Sequence, residues 1–159
     1  MEVSILTPVC TLVPTHFFDP TSARQSLAEV ASLKEGSAVK WAEIPQYDAV
    51  LVYEVDSEEV TAYPELYYVL QALPACADYN KIVASHKDGY LYLAIAQGGS
   101  LLLANVFPAV DFTTAEYYIF LAMKQLQLNP EVSVICMRSL VGPEEEMSLY
   151  RYFKSVGQI

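Results

Sequence analysis

Runs of apolar residues separated by short polar breaks follow one another along the whole chain. Residues 3–13 form the first run, which is rich in β-branched side chains and ends at Pro14. Residues 39–44 and 47–55 form two more on either side of Pro45, and the second is almost continuously apolar. Short β-branched runs predict strands, and a continuous apolar run predicts a strand that is covered on both faces of its sheet.

Two helices are predicted among these strands. Asp19 followed by Pro20 indicates a helix start, because a carboxylate caps free N–H groups and proline fits the first helical position. Gly36 predicts the end of that helix. The second helix is predicted over residues 57–73, with its regular part beginning at Pro64, since proline cannot continue a helix from the preceding turn.

The pattern then changes to three consecutive strands, predicted over residues 81–85, 90–97 and 100–107. The breaks between them fall at residues 87–89 and at the Gly-Gly pair 98–99. Such breaks favour tight hairpins, because glycine tolerates a positive φ angle. We therefore expect an antiparallel meander, and its middle strand is apolar on both faces.

The remaining elements are a helix, a strand and a last helix. Thr113 and Glu116 have the spacing of a capping box, which predicts that a helix begins with Thr113 as its cap. A short buried strand is predicted over residues 132–137. The last helix is predicted from Pro143 to a stop at Gly157, with three glutamates in its first turn.

Composition narrows the classes of function. The chain has 159 residues, 53% of them hydrophobic, and 9 basic against 19 acidic residues give a net charge of −10. Such a balance repels phosphate backbones and anionic lipid, so no nucleic-acid partner and no membrane partner are expected. The three cysteines are an odd number set far apart, which favours reduced thiols. With Glu2 in place of a basic signal-peptide start, the expected location is the cytoplasm.

Several stretches resemble a family. The order βββαβα over residues 81–156 resembles the ribonuclease-H-like half-domain that actin-like ATPases use twice. The stretches CTLVPTHFFD, SLLLANVF, TAEYYIFL and KQLQLN resemble a Bacteroidetes-type bacterial family of unknown function with a degenerate actin-like fold. The resemblance implies an α/β fold with a mixed sheet and helices on its faces. It further implies a remnant of the first half-domain over residues 1–78 and the second half-domain over residues 79–159.

The same resemblance implies either a shortened amino-terminal part or a start that has moved. Members of the family usually carry an additional stretch that opens the first half-domain, and this chain begins near that half-domain's later strands. A sheet without those strands keeps an unpaired edge, which soluble proteins normally cover or pair. Self-association is the hypothesis that follows.

Actin-like ATPases grip ATP with hairpins of the form Asp-x-Gly-x-x-x-Thr, and this chain departs from that form. Asp88 and Gly89 lack the spacer and the later hydroxyl, while Gly98, Gly99 and Ser100 have no acidic residue before them. No cofactor and no metal are therefore predicted. The alternative hypothesis is a nucleotide-binding or ATP-hydrolysing protein that uses these two turns as non-standard phosphate loops.

Other catalytic residue types are present without a supporting pattern. Cys136 paired with His16 or His86 is a conceivable nucleophile, and His16, Asp19 and His86 are conceivable metal ligands. Neither set has a local signature or short ligand spacing. Cys136 is therefore interpreted as a residue of the core, and the two histidines and Asp19 are interpreted as residues without a metal-binding role. Glu144, Glu145 and Glu146 are interpreted as solvated charges that complement a helix dipole.

Tyrosine is the residue type that is hardest to explain by the core alone. The chain has 12 tyrosines, and several fall on more than one side of a predicted helix. The candidates for an interface are Tyr63, Tyr67, Tyr68, Tyr150 and Tyr152. Tyrosine is a favoured interface residue because it is large, stiff and amphipathic. The leading hypothesis is thus a non-catalytic interaction or scaffolding protein that binds a protein partner or itself.

Overall fold

The computed structural model describes residues 4–159, whose strands form two sheets. The strands are β1 (Cys10–Pro14), β2 (Ala38–Ile44), β3 (Ala49–Val55), β4 (Asn80–Lys87), β5 (Tyr90–Gln97), β6 (Ser100–Pro108), β7 (Val134–Met137) and β8 (Ser155–Gln158). The α-helices are α1 (Ala23–Ala28), α2 (Glu65–Ala72), α3 (Phe112–Gln125) and α4 (Pro143–Tyr150). Short 3₁₀ turns join several of these elements.

The first sheet is antiparallel with the order β1-β3-β2, so β3 is its central strand. Every residue of β3 is buried, as its continuous apolar run predicts. Val50 and Val52 pack towards α1, and Leu51 and Tyr53 pack towards α2. In the described chain β1 and β2 are the two edge strands of this sheet.

The second sheet has the order β6-β5-β4-β7-β8. Its first three strands form the predicted antiparallel meander, and β7 and β8 add to β4 in parallel. Asp88 and Gly89 form the first turn with φ angles of 51° and 81°. Both angles lie in the left-handed region that a type I′ hairpin requires, so a glycine at the second position fits without strain.

Helices cover both outer faces, and α2 lies between the sheets. One face of the second sheet packs Leu93 and Ile95 against α3 and α4. Its other face places Tyr92 and Ala94 in the same core cluster as Leu70 of α2. The layers therefore run from α1 through the first sheet, α2 and the second sheet to α3 and α4. No helix within residues 4–159 has the length and apolar character needed to cross a membrane.

The start of the chain differs from the prediction in two places. The predicted strand over residues 3–13 forms ladder pairs only from Cys10, and its predicted start at residue 3 lies outside the described residues. Asp19 does cap the next element, since its side chain accepts a hydrogen bond from the Thr21 amide at 3.0 Å. The predicted stop at Gly36 is wrong, because α1 already ends at Ala28.

A buried carboxylate explains why the chain leaves the helical path after α1. The Glu54 side chain on β3 accepts hydrogen bonds from the Lys34 amide at 2.7 Å and from the Ser37 hydroxyl at 2.6 Å. These bonds draw the segment that follows α1 onto the sheet. A contact 20 residues away along the chain thus replaces the predicted helical turns.

The cap of α3 is Asp111, so the prediction of Thr113 as the cap is wrong. The Asp111 side chain accepts a hydrogen bond from the Thr114 amide at 2.8 Å. Glu116 does not reach back to the helix start and instead accepts a hydrogen bond from the Ser148 hydroxyl, which lies close to both of its carboxylate oxygens. Asp111, two residues before Thr113, caps the free N–H groups at the start of α3. The helix is therefore found where it was predicted, although its cap is a different residue.

The last helix is shorter than predicted, and a strand follows it. Helix α4 ends at Tyr150, and β8 pairs with β7 in a register that places Gly157 beside Cys136. A Cβ atom at Gly157 would lie 3.4 Å from the Cys136 sulfur. The interpretation of Gly157 as a helix stop is therefore wrong, because this glycine lies inside the sheet where the neighbouring side chain is close.

Candidate interaction surface

Glu65, the first residue of α2, is a buried carboxylate at the centre of a polar cluster. Its side chain has no solvent exposure. It accepts hydrogen bonds from Ser4 at 2.5 Å and from Ser85 at 2.6 Å. The Arg138 Nε atom lies 3.0 Å away and the Lys87 Nζ atom 3.7 Å away. One side chain thereby joins α2, β4, the residue after β7 and the segment before β1.

Backbone pairing holds Glu65 in this place. The Ile5 amide donates to the Tyr63 carbonyl at 3.0 Å, and the Glu65 amide donates to the Ile5 carbonyl at 2.9 Å. Pro64 between them is extended and lacks an N–H group, so α2 begins only at Glu65. The earlier start at residue 57 is not found, whereas the start of the regular helix at Pro64 is nearly as predicted.

The partners of Glu65 determine its charge. Burial alone would raise the pKa of Glu65, but the hydrogen bonds from Ser4 and Ser85 and the charges of Arg138 and Lys87 outweigh it. The pKa of Glu65 therefore lies below its usual value, and the carboxylate is ionised at neutral pH. An ionised carboxylate inside the protein fixes the guanidinium of Arg138 beside it.

Arg138 links the buried cluster to a group of tyrosines. Its guanidinium carbon lies 4.8 Å from the centre of the Tyr68 ring, which is the distance of a cation–π contact. Tyr68 meets Tyr67 edge-on at 5.3 Å, and Tyr67 stacks on Tyr63 at 4.3 Å. We call Tyr63, Tyr67, Tyr68 and Arg138 the aromatic surface.

A groove lies on each side of the aromatic surface. The groove on the Arg138 side has a volume of about 480 Å³ and is also lined by Gln71 and Ile159. The groove on the other side has a volume of about 490 Å³ and is lined by Trp41 of β2. Tyr63 borders both grooves and is 40% exposed, so it forms the ridge between them.

The other two tyrosine candidates lie elsewhere. Tyr150 and Tyr152 are about half exposed, at 50% and 49%, near the end of α4. The Tyr150 hydroxyl donates to the Val156 carbonyl at 3.3 Å, and the Tyr152 ring meets Phe120 of α3 at 4.9 Å. Helix α4 packs on the opposite face of the second sheet from α2. The five candidates therefore belong to two separate surfaces.

The two glycine turns also lie apart. Asp88 and Gly89 precede β5, and Gly98, Gly99 and Ser100 follow it. Strand β5 has eight residues and thus separates the turns by about 27 Å. That span exceeds the length of a triphosphate, so the two turns do not fit the phosphates of one nucleotide. A cavity of about 470 Å³ borders the first turn, and its lining includes Asp88, Gly89 and Thr114 but no residue of the second turn.

The remaining candidates are not brought together. The Cys136 sulfur lies beside Cys76 at 3.6 Å, and His86 bonds the Ala109 carbonyl at 2.9 Å on the other side of the sheet. His16 is exposed against Phe17. Within residues 4–159 no three metal-binding side chains of the His, Cys, Asp or Glu type are grouped. In the glutamate run, Glu145 accepts from the Gly142 amide at 2.9 Å, which is a capping role.

Two polar contacts between distant parts of the chain are not visible in the sequence pattern. Glu65 and Arg138 are 73 residues apart, and Cys76 and Cys136 are 60 residues apart. A signal for Glu65 did exist, since an acid at the first position of a helix whose neighbours are apolar is a candidate for burial with a partner. The cysteines carry no such local signal.

Comparison with solved structures identifies the fold of this chain. A crystal structure from Bacteroides thetaiotaomicron VPI-5482, described as a protein with actin-like ATPase fold and unknown function, is similar with a TM-score of 0.80 and 17% identity over 99% of this chain and 67% of that chain. A PilM-PilN type IV pilus biogenesis complex contains a chain similar with a TM-score of 0.51 and 14% identity over 94% of this chain and 65% of that one. The predicted actin-like α/β fold is confirmed.

The present chain spans about two thirds of the length of each of these structures. No curated protein matches it. A family model does, and the match extends over residues 1–156. The chain therefore belongs to the family described as Protein of unknown function (DUF3822).

Proposed function

We propose that this chain is a non-catalytic interaction protein that binds a protein partner, or a second copy of itself, through the aromatic surface. The observation that carries the proposal is the buried Glu65 carboxylate 3.0 Å from Arg138, which fixes the guanidinium against Tyr68. A surface whose side chains are held before binding loses little conformational entropy when a partner docks.

The residue types also support a binding role. Tyrosine, tryptophan and arginine are the types that contribute most of the binding energy in protein interfaces. Here Tyr63 is 40% exposed and Trp41 is 42% exposed, on either side of one groove. The two grooves offer pockets beside a ridge, which suits side chains that project from a partner segment.

The charge of the chain favours a different protein over a second copy. With a net charge of −10, two copies repel each other at long range, whereas a basic partner is attracted. We therefore propose a partner segment with apolar side chains and a positive charge. The similarity to a chain of the PilM-PilN complex supports a role in protein assembly, because a protein of this fold acts there within a complex.

We further propose the cytoplasm as the location, which the three free thiols support. We also propose that residues 1–78 are the remnant of a first half-domain and residues 79–159 a second. The two sheets support this division, since the chain passes from one sheet to the other between α2 and β4.

The test compares two double variants with the wild-type chain. Tyr63→Ala with Tyr67→Ala removes the ridge, and Tyr150→Ala with Tyr152→Ala is the matched control on the other surface. Each protein is used to capture partners from an extract of a bacterium that carries the gene, and its mass is measured by light scattering at micromolar concentration. We expect a partner, or a dimer mass, that wild type and the control retain and the ridge variant loses by at least about tenfold.

Equal capture and equal mass for all three proteins would contradict the proposal. A loss confined to the control variant would instead assign the interface to the end of α4. The circular dichroism spectrum of each variant shows whether it is folded, and Tyr63→Phe with Tyr67→Phe keeps the rings if the alanine variant does not fold.

The nucleotide-binding alternative stays a prediction and has its own test. A ligand that binds only the native state raises the melting temperature. Unfolding is therefore followed with and without magnesium ATP for the wild type and for Asp88→Ala. A clear rise in the wild type that Asp88→Ala lacks would favour that alternative, and no rise would leave the interaction role as the better account.

A further inference from the structure

Cys76 and Cys136 form a thiol pair that joins two distant parts of the chain. Cys76 follows α2 and a 3₁₀ turn, and Cys136 lies in the middle of β7. Their sulfur atoms are 3.6 Å apart, and the two residues are separated by 60 positions. The Cys76 sulfur also lies 3.8 Å from the Ala72 carbonyl of α2.

The contact makes the two thiols unequal. The hydrogen bond from Cys76 lowers the pKa of Cys136 to about 7, although burial acts in the other direction. The same hydrogen bond, together with burial, raises the pKa of Cys76. Cys136 is thus the thiol that ionises near neutral pH, and a thiolate is the form that attacks a disulfide.

The geometry allows a bond between the two sulfurs. A disulfide needs an S–S distance of about 2.05 Å, so the two atoms must approach by about 1.5 Å. Both residues are half-buried, so a small oxidant has access to them. Cys10 provides a comparison within the same chain, because burial raises its pKa to about 12.

We propose that Cys76 and Cys136 are a redox-active dithiol that closes to an intramolecular disulfide on reaction with a low-molecular-weight disulfide such as oxidised glutathione. The proposal goes beyond the interaction role and does not depend on it. Its consequence for the fold is a covalent link between the segment after α2 and strand β7.

The reaction has two steps. The Cys136 thiolate attacks one sulfur of oxidised glutathione, forms a mixed disulfide and releases one glutathione thiolate, which takes up a proton. The Cys76 thiol then loses its proton and attacks the Cys136 sulfur, which releases the second glutathione. Two protein thiols are oxidised to one disulfide, and one glutathione disulfide is reduced to two glutathione molecules.

The test uses the full chain incubated with oxidised glutathione and then denatured. We expect the number of free thiols to fall from three to one, with the mass of two hydrogen atoms lost and no adduct retained. A peptide map is expected to link Cys76 to Cys136, and a reductant is expected to restore all three thiols. Three thiols retained, or a link through Cys10, would overturn the proposal.

Single variants separate the two steps. Cys10→Ser is expected to form the same link, because Cys10 takes no part in it. Cys76→Ser is expected to stop at a glutathione adduct on Cys136, and Cys136→Ser is expected to form no link between the remaining thiols. If a variant does not fold, the peptide map of the wild-type chain still decides the outcome, and a stable adduct on wild-type Cys136 would contradict the second step.

Discussion

Glu65 is buried and Glu116 is half-buried, and the pKa values of their carboxyl groups shift in opposite directions. Burial would raise the pKa of Glu65, but two serine hydroxyls and the charges of Arg138 and Lys87 lower it below its usual value. Burial does raise the pKa of Glu116, because the hydrogen bond from Ser148 and the charge of Arg151 do not outweigh it. The charged form of a carboxylate is thus favoured only where its hydrogen bonds and the neighbouring charges together outweigh the cost of burial.

The two glutamates lie in different layers of the molecule. The layer around α2 contains an ionised acid with its arginine, and this pair supports the aromatic surface. The layer of α3 and α4 holds Glu116 in a site where burial disfavours its charge. Substitutions at the two glutamates are the most direct way to test this comparison.

The largest effect is expected for Glu65→Gln. Glutamine has nearly the same shape but removes the buried negative charge that Arg138 and Lys87 contact, so we expect the free energy of unfolding to fall by about 3 kcal/mol. Urea unfolding followed by circular dichroism measures this change. Glu116→Gln is the matched control and is expected to change the free energy of unfolding by no more than about 0.5 kcal/mol. Equal losses for both would show that Arg138 does not distinguish the two sites.

Glu65 and Glu116 are expected to change the stability of the fold with pH in opposite directions. The pKa of Glu65 is lower in the folded state than in the unfolded state. Glu65 therefore stabilises the fold at pH values above its unfolded-state pKa, and this stabilisation is lost as the pH falls through the folded-state pKa. The pKa of Glu116 is higher in the folded state than in the unfolded state. Glu116 therefore stabilises the fold at low pH, and this stabilisation is lost as the pH rises through the folded-state pKa.

Unfolding from about pH 7 to about pH 3 therefore separates the two acids. Relative to the wild type, Glu65→Gln is expected to flatten the loss of stability in acid, whereas Glu116→Gln is expected to gain most at neutral pH. Parallel curves for the wild type and both variants would contradict the assignment of opposite shifts.

The helix starts offer a smaller test. Helix α3 has the Asp111 carboxylate at its start, with the Thr114 amide at 2.8 Å, whereas α2 follows Pro64, which has no polar side chain. Asp111→Ala is expected to lower the melting temperature by a few degrees, because it removes the cap. Asp111→Asn keeps an acceptor and is expected to retain most of the stability. A loss of the same size for Thr113→Ala would restore Thr113 as the cap.

The smallest expected change is a gain. Within residues 4–159 the buried Tyr92 hydroxyl has no hydrogen-bond partner, although it lies in the same layer as Glu65. Tyr92→Phe removes the unpaired group and keeps the ring, so we expect the free energy of unfolding to rise by up to about 1 kcal/mol. A clear loss in urea unfolding would mean that the hydroxyl is bonded in solution.

Much of the fold follows from signals that act over a few residues. The buried strand β3, the two hairpins and the helix after Asp111 were predicted because apolar runs, glycine turns and nearby acids act locally. The strand β8 was not, since residues 155–158 contain a single bulky apolar side chain and depend on β7 for pairing. Helix α1 ends early because of Glu54, which no local pattern connects to Lys34.

The candidate surface was predictable only in part. Tyr63, Tyr67 and Tyr68 were named from the sequence because they fall on one predicted helix. Their arginine was not, because Arg138 reaches α2 only after β7 has paired with β4. The same pairing brings Cys136 to Cys76. Contacts that depend on the order of strands in a sheet cannot be read from residue spacing along the chain.

Strand β5 has a practical consequence for measurements in solution. It is buried from Leu91 to Ala96, and it holds the exposed residues Asp88 and Gly99 near its two ends. Because the eight residues of β5 between these positions span about 27 Å, probes attached there would report a nearly constant separation that the strand sets. The protein thus contains an internal length standard, against which any movement of the aromatic surface towards a third probe can be calibrated.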